Sequence, residues 1–365
     1  LRVLFWFVIL TAISVFSIHA QSATLSKNQD DSYGDLFESE LMGSFDNKEA
    51  FDFQKSEMET EDGEKYNFAI KGYFTLTTMY NYAHEEPDSG KTDFRGWQRA
   101  KAELSLKLDL KLNDKWKAYF NSLLSHDFIY EIKKDNNYTV ETRESFETQT
   151  ELREGYLNGK IGESLDLTFG RQIVVWGVAD SARIADVINP VDMRELGLVD
   201  IENSRLPVAM TKLDYYVDSL VFSAIAIHER RFNRIPPFGS EYYTSDEKLP
   251  DKEEPGQKME ETEYALSLEG HFTGWDLYLY YADLYSNQAY VDIDGNDYRL
   301  RYSRIQMFGF AWDLAVSSWL FKAEAAYLNG LEFSNLPGEV KQRIDSMVGV
   351  EYSGLSNTKL VLEMT

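Results

Sequence analysis

The sequence predicts an all-β fold: a transmembrane, antiparallel, up-and-down β-barrel with one loop folded inward. Three observations predict it. From residue 67 onward, apolar and polar residues alternate with the period of two that belongs to strands. The connections between these runs alternate between short and long, as they do where tight turns gather at one end of a barrel and large loops at the other. Tryptophans recur just after the tight turns, on the parity of the apolar side.

The elements follow in chain order. Residues 1–20, LRVLFWFVILTAISVFSIHA, carry Arg2, a short apolar core and a small residue at Ala20. That is the pattern of a secretory signal peptide, and it predicts export from the cytoplasm. Residues 21–66 are acidic and poor in β-branched residues, and they read as a mobile periplasmic extension with a short helix near Leu36–Met42. The barrel is expected to occupy residues 67–365.

In the first strand Phe68, Ile70, Phe74, Leu76, Tyr80 and Tyr82 share one parity, and Lys71, Tyr73, Thr75, Thr77 and Asn81 share the other. The next run puts Leu104, Leu106, Leu108, Leu110 and Leu112 on one face and Arg99, Lys101, Glu103, Lys107, Asp109 and Lys111 on the opposite face. About thirteen such runs follow one another. Tight turns fall at Asn113–Asp114, Gly162–Ser164, Val217–Asp218, Thr273–Gly274 and Val316–Ser317. Between them lie long connections, among them the stretch around NQAYVDIDGNDYR. Trp116, Trp275 and Trp319 are expected to form an aromatic girdle. The last run, KLVLEMT, stops mid-pattern and leaves an odd count, which predicts that at least one further strand is missing.

One face of such strands meets lipid and the other a watery lumen. Outer-membrane lipid and lipopolysaccharide are then the expected surroundings, and a small solute the expected cargo. A net charge of −24 argues against nucleic acid as a partner. With no cysteine, disulfides and thiolate metal sites are excluded.

Residues 151–216 are the most distinctive part. The connection 178–206 holds Ile184, Val187, Ile188, Met193, Leu196 and Leu198, too many apolar residues for a solvated loop. It is expected to fold into the lumen as a constriction, with short helices near Ser181–Ile188 and Val191–Gly197. A cap packed on the rim is the alternative. Arg171 shares the parity of Leu165, Leu167 and Phe169, which would aim it at lipid at a cost of roughly 2–4 kcal/mol near the midplane. A β-bulge at Gly170 that turns Arg171 inward toward Glu154 is therefore expected. The lysine-rich inner face, with Lys71, Arg99, Lys101, Lys107, Lys111 and Lys117, would favour anions unless its acids balance it.

The motifs LREGYLN, GRQIVVWG and DVINPVDMREL, followed by LPV, resemble a family of porin-like proteobacterial outer-membrane proteins of unknown function, loosely similar to alginate-export-type barrels. The matching block covers about 65 residues, within 151–216. The chain departs from the pattern at Val178-Ala179-Asp180, where an acidic residue directly after Gly177 is expected. The resemblance implies a channel for anionic or poorly soluble organic solutes, with Arg171, Gln172, Trp176, Asn189, Pro190 and Asp192 at family-typical positions.

No catalytic role, metal or cofactor is expected. Ser125-His126-Asp127 cannot act as a triad, because neighbours in a strand point to opposite faces. Asp292–Asp297 lacks the glycine position and distal glutamate of a calcium loop. Two other readings remain open at this point. One is an export or assembly component whose extension contacts periplasmic partners. The other is a secreted soluble glycan-binding β-protein.

Overall fold

The computed structural model describes residues 49–59, 65–134, 136–195, 204–256, 262–294 and 297–365. They all belong to one compact unit, Asn47–Thr365. Fourteen strands form a single sheet in sequential order. They are β1 (Glu49–Glu59), β2 (Lys65–Asn81), β3 (Gly96–Lys111), β4 (Trp116–Asp127) and β5 (Thr148–Lys160). Then come β6 (Leu165–Gln172), β7 (Val208–Val217), β8 (Leu220–Ile227), β9 (Glu263–Phe272) and β10 (Trp275–Asp294). The last four are β11 (Asp297–Val316), β12 (Trp319–Phe333), β13 (Leu336–Leu355) and β14 (Thr358–Met364). Each strand is antiparallel to its neighbour, the up-and-down sheet of an outer-membrane-type barrel.

Strands β2–β14 are the thirteen runs read from the alternation. The two-residue turns after β7, β9, β11 and β13 take left-handed φ at Asp218, Gly274, Ser317 and Asn357, the twist that two-residue hairpins require. Along the outer parity a row of large apolar side chains stands exposed: Leu76, Leu106, Phe120, Phe169, Phe222, Leu266, Leu279, Phe308 and Phe321. No second sheet covers it among the described residues, since all fourteen strands belong to one sheet. A continuous exposed apolar surface of this kind is what a lipid-facing wall presents.

Four expectations change. The acidic extension was expected to run to residue 66, but β1 already pairs with β2 from Glu49. A register shift between Phe53 and Ser56 breaks the alternation there, so the period gave no signal. The stretch around NQAYVDIDGNDYR is not a long loop. It belongs to β10 and β11, which stay paired from Trp275↔Leu314 to Asp294↔Asp297. No helix forms over Ser181–Ile188. Val191 and Asp192 sit in isolated bridges, to Arg205 and Arg234, rather than in a helix. The helix expected near Leu36–Met42 lies outside the described residues, as do 196–203. Two short helices do occur, α1 (Ile129–Ile132) and α2 (Val140–Phe146), in the connection between β4 and β5.

Candidate functional site: a segment folded into the sheet

The interior has two unlike sides. A run of inner-parity residues of β7–β13 is apolar and buried: Met210, Ile225, Ala265, Tyr280, Ala282, Met307, Ala326, Leu328 and Met347. The segment that leaves β6 packs onto them through Val174, Trp176, Ile184, Ala185 and Ile188, in one continuous core. Burying each of the larger aliphatic side chains, such as Ile184 and Ile188, stabilises the packing by about 1.5–3 kcal/mol. The inner face of β2–β6, by contrast, is polar and bounds a cavity of about 1120 Å³. Its far wall is the arm Ile173–Trp176 of the same segment.

The segment is fixed by side chains that take its backbone donors. Trp176 stacks on Tyr280 with ring centroids 4.7 Å apart, and the Tyr280 hydroxyl accepts from Gly177 N–H at 3.2 Å. Glu324 on β12, only 3% exposed, accepts from Val178 N–H at 2.8 Å, Ala179 N–H at 3.0 Å and Ala185 N–H at 2.7 Å. Glu363 on β14 accepts from Asp180 N–H at 3.0 Å and Ser181 N–H at 2.9 Å, and Lys322 reaches Asp180 at 2.8 Å. Four consecutive N–H groups, Val178 to Ser181, and that of Ala185 are thus satisfied by carboxylates on the wall, without a helix.

Lys322 is only the fourth residue of β12, so the segment descends almost to the tight-turn end. Ion pairs line its return. Asp186 is held by Arg205 at 2.8 Å and Arg183 at 3.0 Å. Asp192 pairs with Arg194 at 2.5 Å and Arg234 at 3.4 Å. Burial pushes the Asp192 carboxyl up, but the guanidiniums of Arg194 and Arg234 outweigh it and hold the carboxyl below the usual range. Glu151 on β5 joins Arg231 at 2.6 Å and Arg234 at 3.0 Å.

The residues singled out from sequence fall into three groups. Lys71, Lys101, Lys107 and Lys111 keep inner-face parity, in register across β2 and β3. Lys101 is paired with Glu103 at 2.7 Å, and Lys111 with Asp114 at 2.8 Å. Glu154 lines the cavity. Arg99 closes on Glu195 of the segment, with Asp127 beside it.

A second group serves the packing. Asn189 is fully buried, so it clasps the segment instead of facing a passage. It accepts from Val174 N–H at 2.8 Å and donates to Leu206 O at 2.9 Å. Gln172 donates weakly to Met210 O at 3.3 Å and edges the cavity.

Arg171 corrects an expectation. No register shift occurs at Gly170, since Tyr156↔Gly170 and Gly155↔Arg171 follow in sequence. Arg171 therefore keeps the outer parity and is neutralised there by Glu229, not Glu154. Glu229 follows β8, and it also accepts from Ala209 N–H at 3.1 Å. The three tryptophans stand at the starts of β4, β10 and β12, with Trp275 stacked on Phe272 at 4.3 Å and Trp319 against Tyr352 at 4.5 Å.

Sequence reading missed the anchors. Glu324 had a signal: it is an acid on the inner row that continues with Ala326 and Leu328, where nothing polar is otherwise needed. Arg205, Arg231 and Arg234 had none, because their partners are distant in sequence.

Sheet and inward segment together define a β-barrel of the outer-membrane type. The chain belongs to the family described as "Protein of unknown function (DUF1302)", whose model matches residues 6–345. No curated protein matches it. Among solved structures it is similar to OmpTdeltaL8, a loop L8 deletion mutant of the outer membrane protein OmpT of Vibrio cholerae. The identity is 12% and the TM-score 0.39, over 82% of this chain and 78% of that one. It is also similar to OmpF of Salmonella typhi in complex with daunomycin, at 12% identity and a TM-score of 0.34, over 84% of this chain and 91% of that one.

Proposed function

We propose that this protein is an outer-membrane channel for the passive passage of small organic solutes, anionic or poorly soluble, narrowed by the segment that leaves β6. The observation that carries this reading is the pairing of that segment with one side of the lumen. The segment fills the apolar side and leaves a polar cavity of about 1120 Å³ along β2–β6. Permeation then depends on size and on the charge of one wall, with no bond made or broken. The exposed outer row meets lipid, and the tryptophan girdle marks one interface, with lipopolysaccharide around the opposite end.

The test is conductance in planar bilayers with the purified, folded protein. Discrete current steps are expected, and deletion of 178–206 should enlarge them. Folded protein, shown by heat-modifiable gel migration, that gives no steps would refute the channel.

A further inference from the structure

We propose that the cavity beside the inward segment is a binding site for an aromatic monocarboxylate. The proposal rests on the channel reading and names the class of solute the passage selects.

The first observation is the register. Lys111 pairs with Lys117, Lys117 with Asn158, Asn158 with Thr168, and Thr168 with Lys212. One row across five strands thus presents three ammonium groups, an amide and a hydroxyl to the cavity, and no carboxylate. Asn158 donates to Thr168 Oγ1 at 2.8 Å. The Thr168 hydroxyl accepts in that bond and keeps its own hydrogen to donate.

Lys111 and Lys117 lie directly opposite each other, an arrangement of like charges that destabilises a strand pair unless an anion joins them. Asp114 meets Lys111 at 2.8 Å and Asp214 meets Lys212 at 3.0 Å. Among the described residues no carboxylate pairs with Lys117. It is the second residue of the row, beside Asn158, and the cation left to an incoming anion.

The second observation is the next row. Two residues further along the strands, about 7 Å away, Tyr119 and Tyr156 pair with ring centroids 5.3 Å apart. The arm Ile173–Trp176 faces them across the cavity. A carboxylate on Lys117 therefore places an attached ring against aromatic and aliphatic surface. Offset ring contacts of this kind favour a planar ring over a flexible chain.

The third observation limits the charge. Asp109 and Glu154 border the same cavity beyond the lysine row, and Glu269 borders it from β9. A second anionic group on the ligand would be repelled, whereas a neutral hydroxyl would find acceptors.

The test adds 2-naphthoate, neutral 2-naphthalenemethanol and acetate separately to reconstituted channels carrying chloride current. 2-Naphthoate should interrupt the current at a concentration at least about tenfold lower than either control. Lys117→Gln and Tyr156→Leu should each raise that concentration about tenfold, while Lys341→Gln on the distant β12–β13 hairpin should not change it. Equal block by the alcohol, or block indifferent to Lys117→Gln, would overturn the site and leave the channel standing. Absence of current would instead refute the channel. Equilibrium dialysis of 2-naphthoate against the detergent-folded protein then decides the site separately: saturable binding weakened by Lys117→Gln supports it, and no binding overturns it.

Discussion

The Glu324 carboxylate occupies the space that a side chain at Gly177 would need: a Cβ there would lie 2.3 Å from Glu324 Oε1. Gly177 also has φ +94°, where any other residue is strained by about 1–3 kcal/mol. Gly177→Ala should therefore pull the segment off β12. We expect faster tryptic cleavage at Arg183 and a larger conductance step than wild type. Glu324→Gln, which keeps one acceptor oxygen and loses the charge, should shift both in the same direction by less. A Gly177→Ala protein with wild-type cleavage and conductance would show that this anchor does not hold the segment.

Arg171 and Glu229 form an ion pair on the outer parity. Removing Glu229 strands a cation on that side, at a cost of up to about 2–4 kcal/mol, less toward the interface. Glu229→Ala should lower the midpoint of urea unfolding of the lipid-inserted barrel. The double variant with Arg171→Leu should recover most of the loss. If the two substitutions add without recovery, the pair is not coupled.

Asn189 joins the two ends of the segment by accepting from Val174 N–H and donating to Leu206 O. Asn189→Ala should cost about 1–3 kcal/mol through the unpaired groups it leaves. Asn189→Asp is nearly isosteric, yet it removes the donors and sets a buried charge against carbonyl oxygens. It should be the worse of the two at pH 7, read as the temperature at which the folded gel band converts.

Asp192 gives a pH dependence of known sign. Its folded pKa lies below the unfolded value of about 3.9, so the unfolded chain binds more protons in the window between them. The stability it contributes is present in full above about pH 4 and is lost as the pH falls through the folded value. Between pH 7 and pH 3 the conversion temperature should drop more steeply in wild type than in Asp192→Asn. Parallel slopes would remove Asp192 from the acid response.

Much of this architecture was legible because a two-sided wall writes itself into the chain as alternation. Leu104–Leu112 and the lysines between them could only belong to such a wall. Legibility failed where the alternation is interrupted or where both faces of a strand are polar. β1 was hidden by its register shift. The distal halves of β10 and β11 looked like loop because Asp292, Asp297 and Arg299 sit among their apolar residues. The inward course of the segment was readable from Ile184 and Ile188, but its irregular backbone was not. That backbone depends on Glu324 and Glu363, which lie more than a hundred residues away in the chain. Arg171 misled for the same reason, since its neutralising partner comes from beyond β8.

Because the apolar side of the segment packs on β7–β13, the cavity is left to one side, along β2–β6. The side chains that pack the segment and those that line the cavity lie mostly on different strands of the sheet. On the proposed channel function, substitutions at Lys117 or Tyr156 would change the cavity wall without touching the apolar core. On the proposed channel reading, a chain of this plan could change what its cavity accepts while the packed side stays as it is.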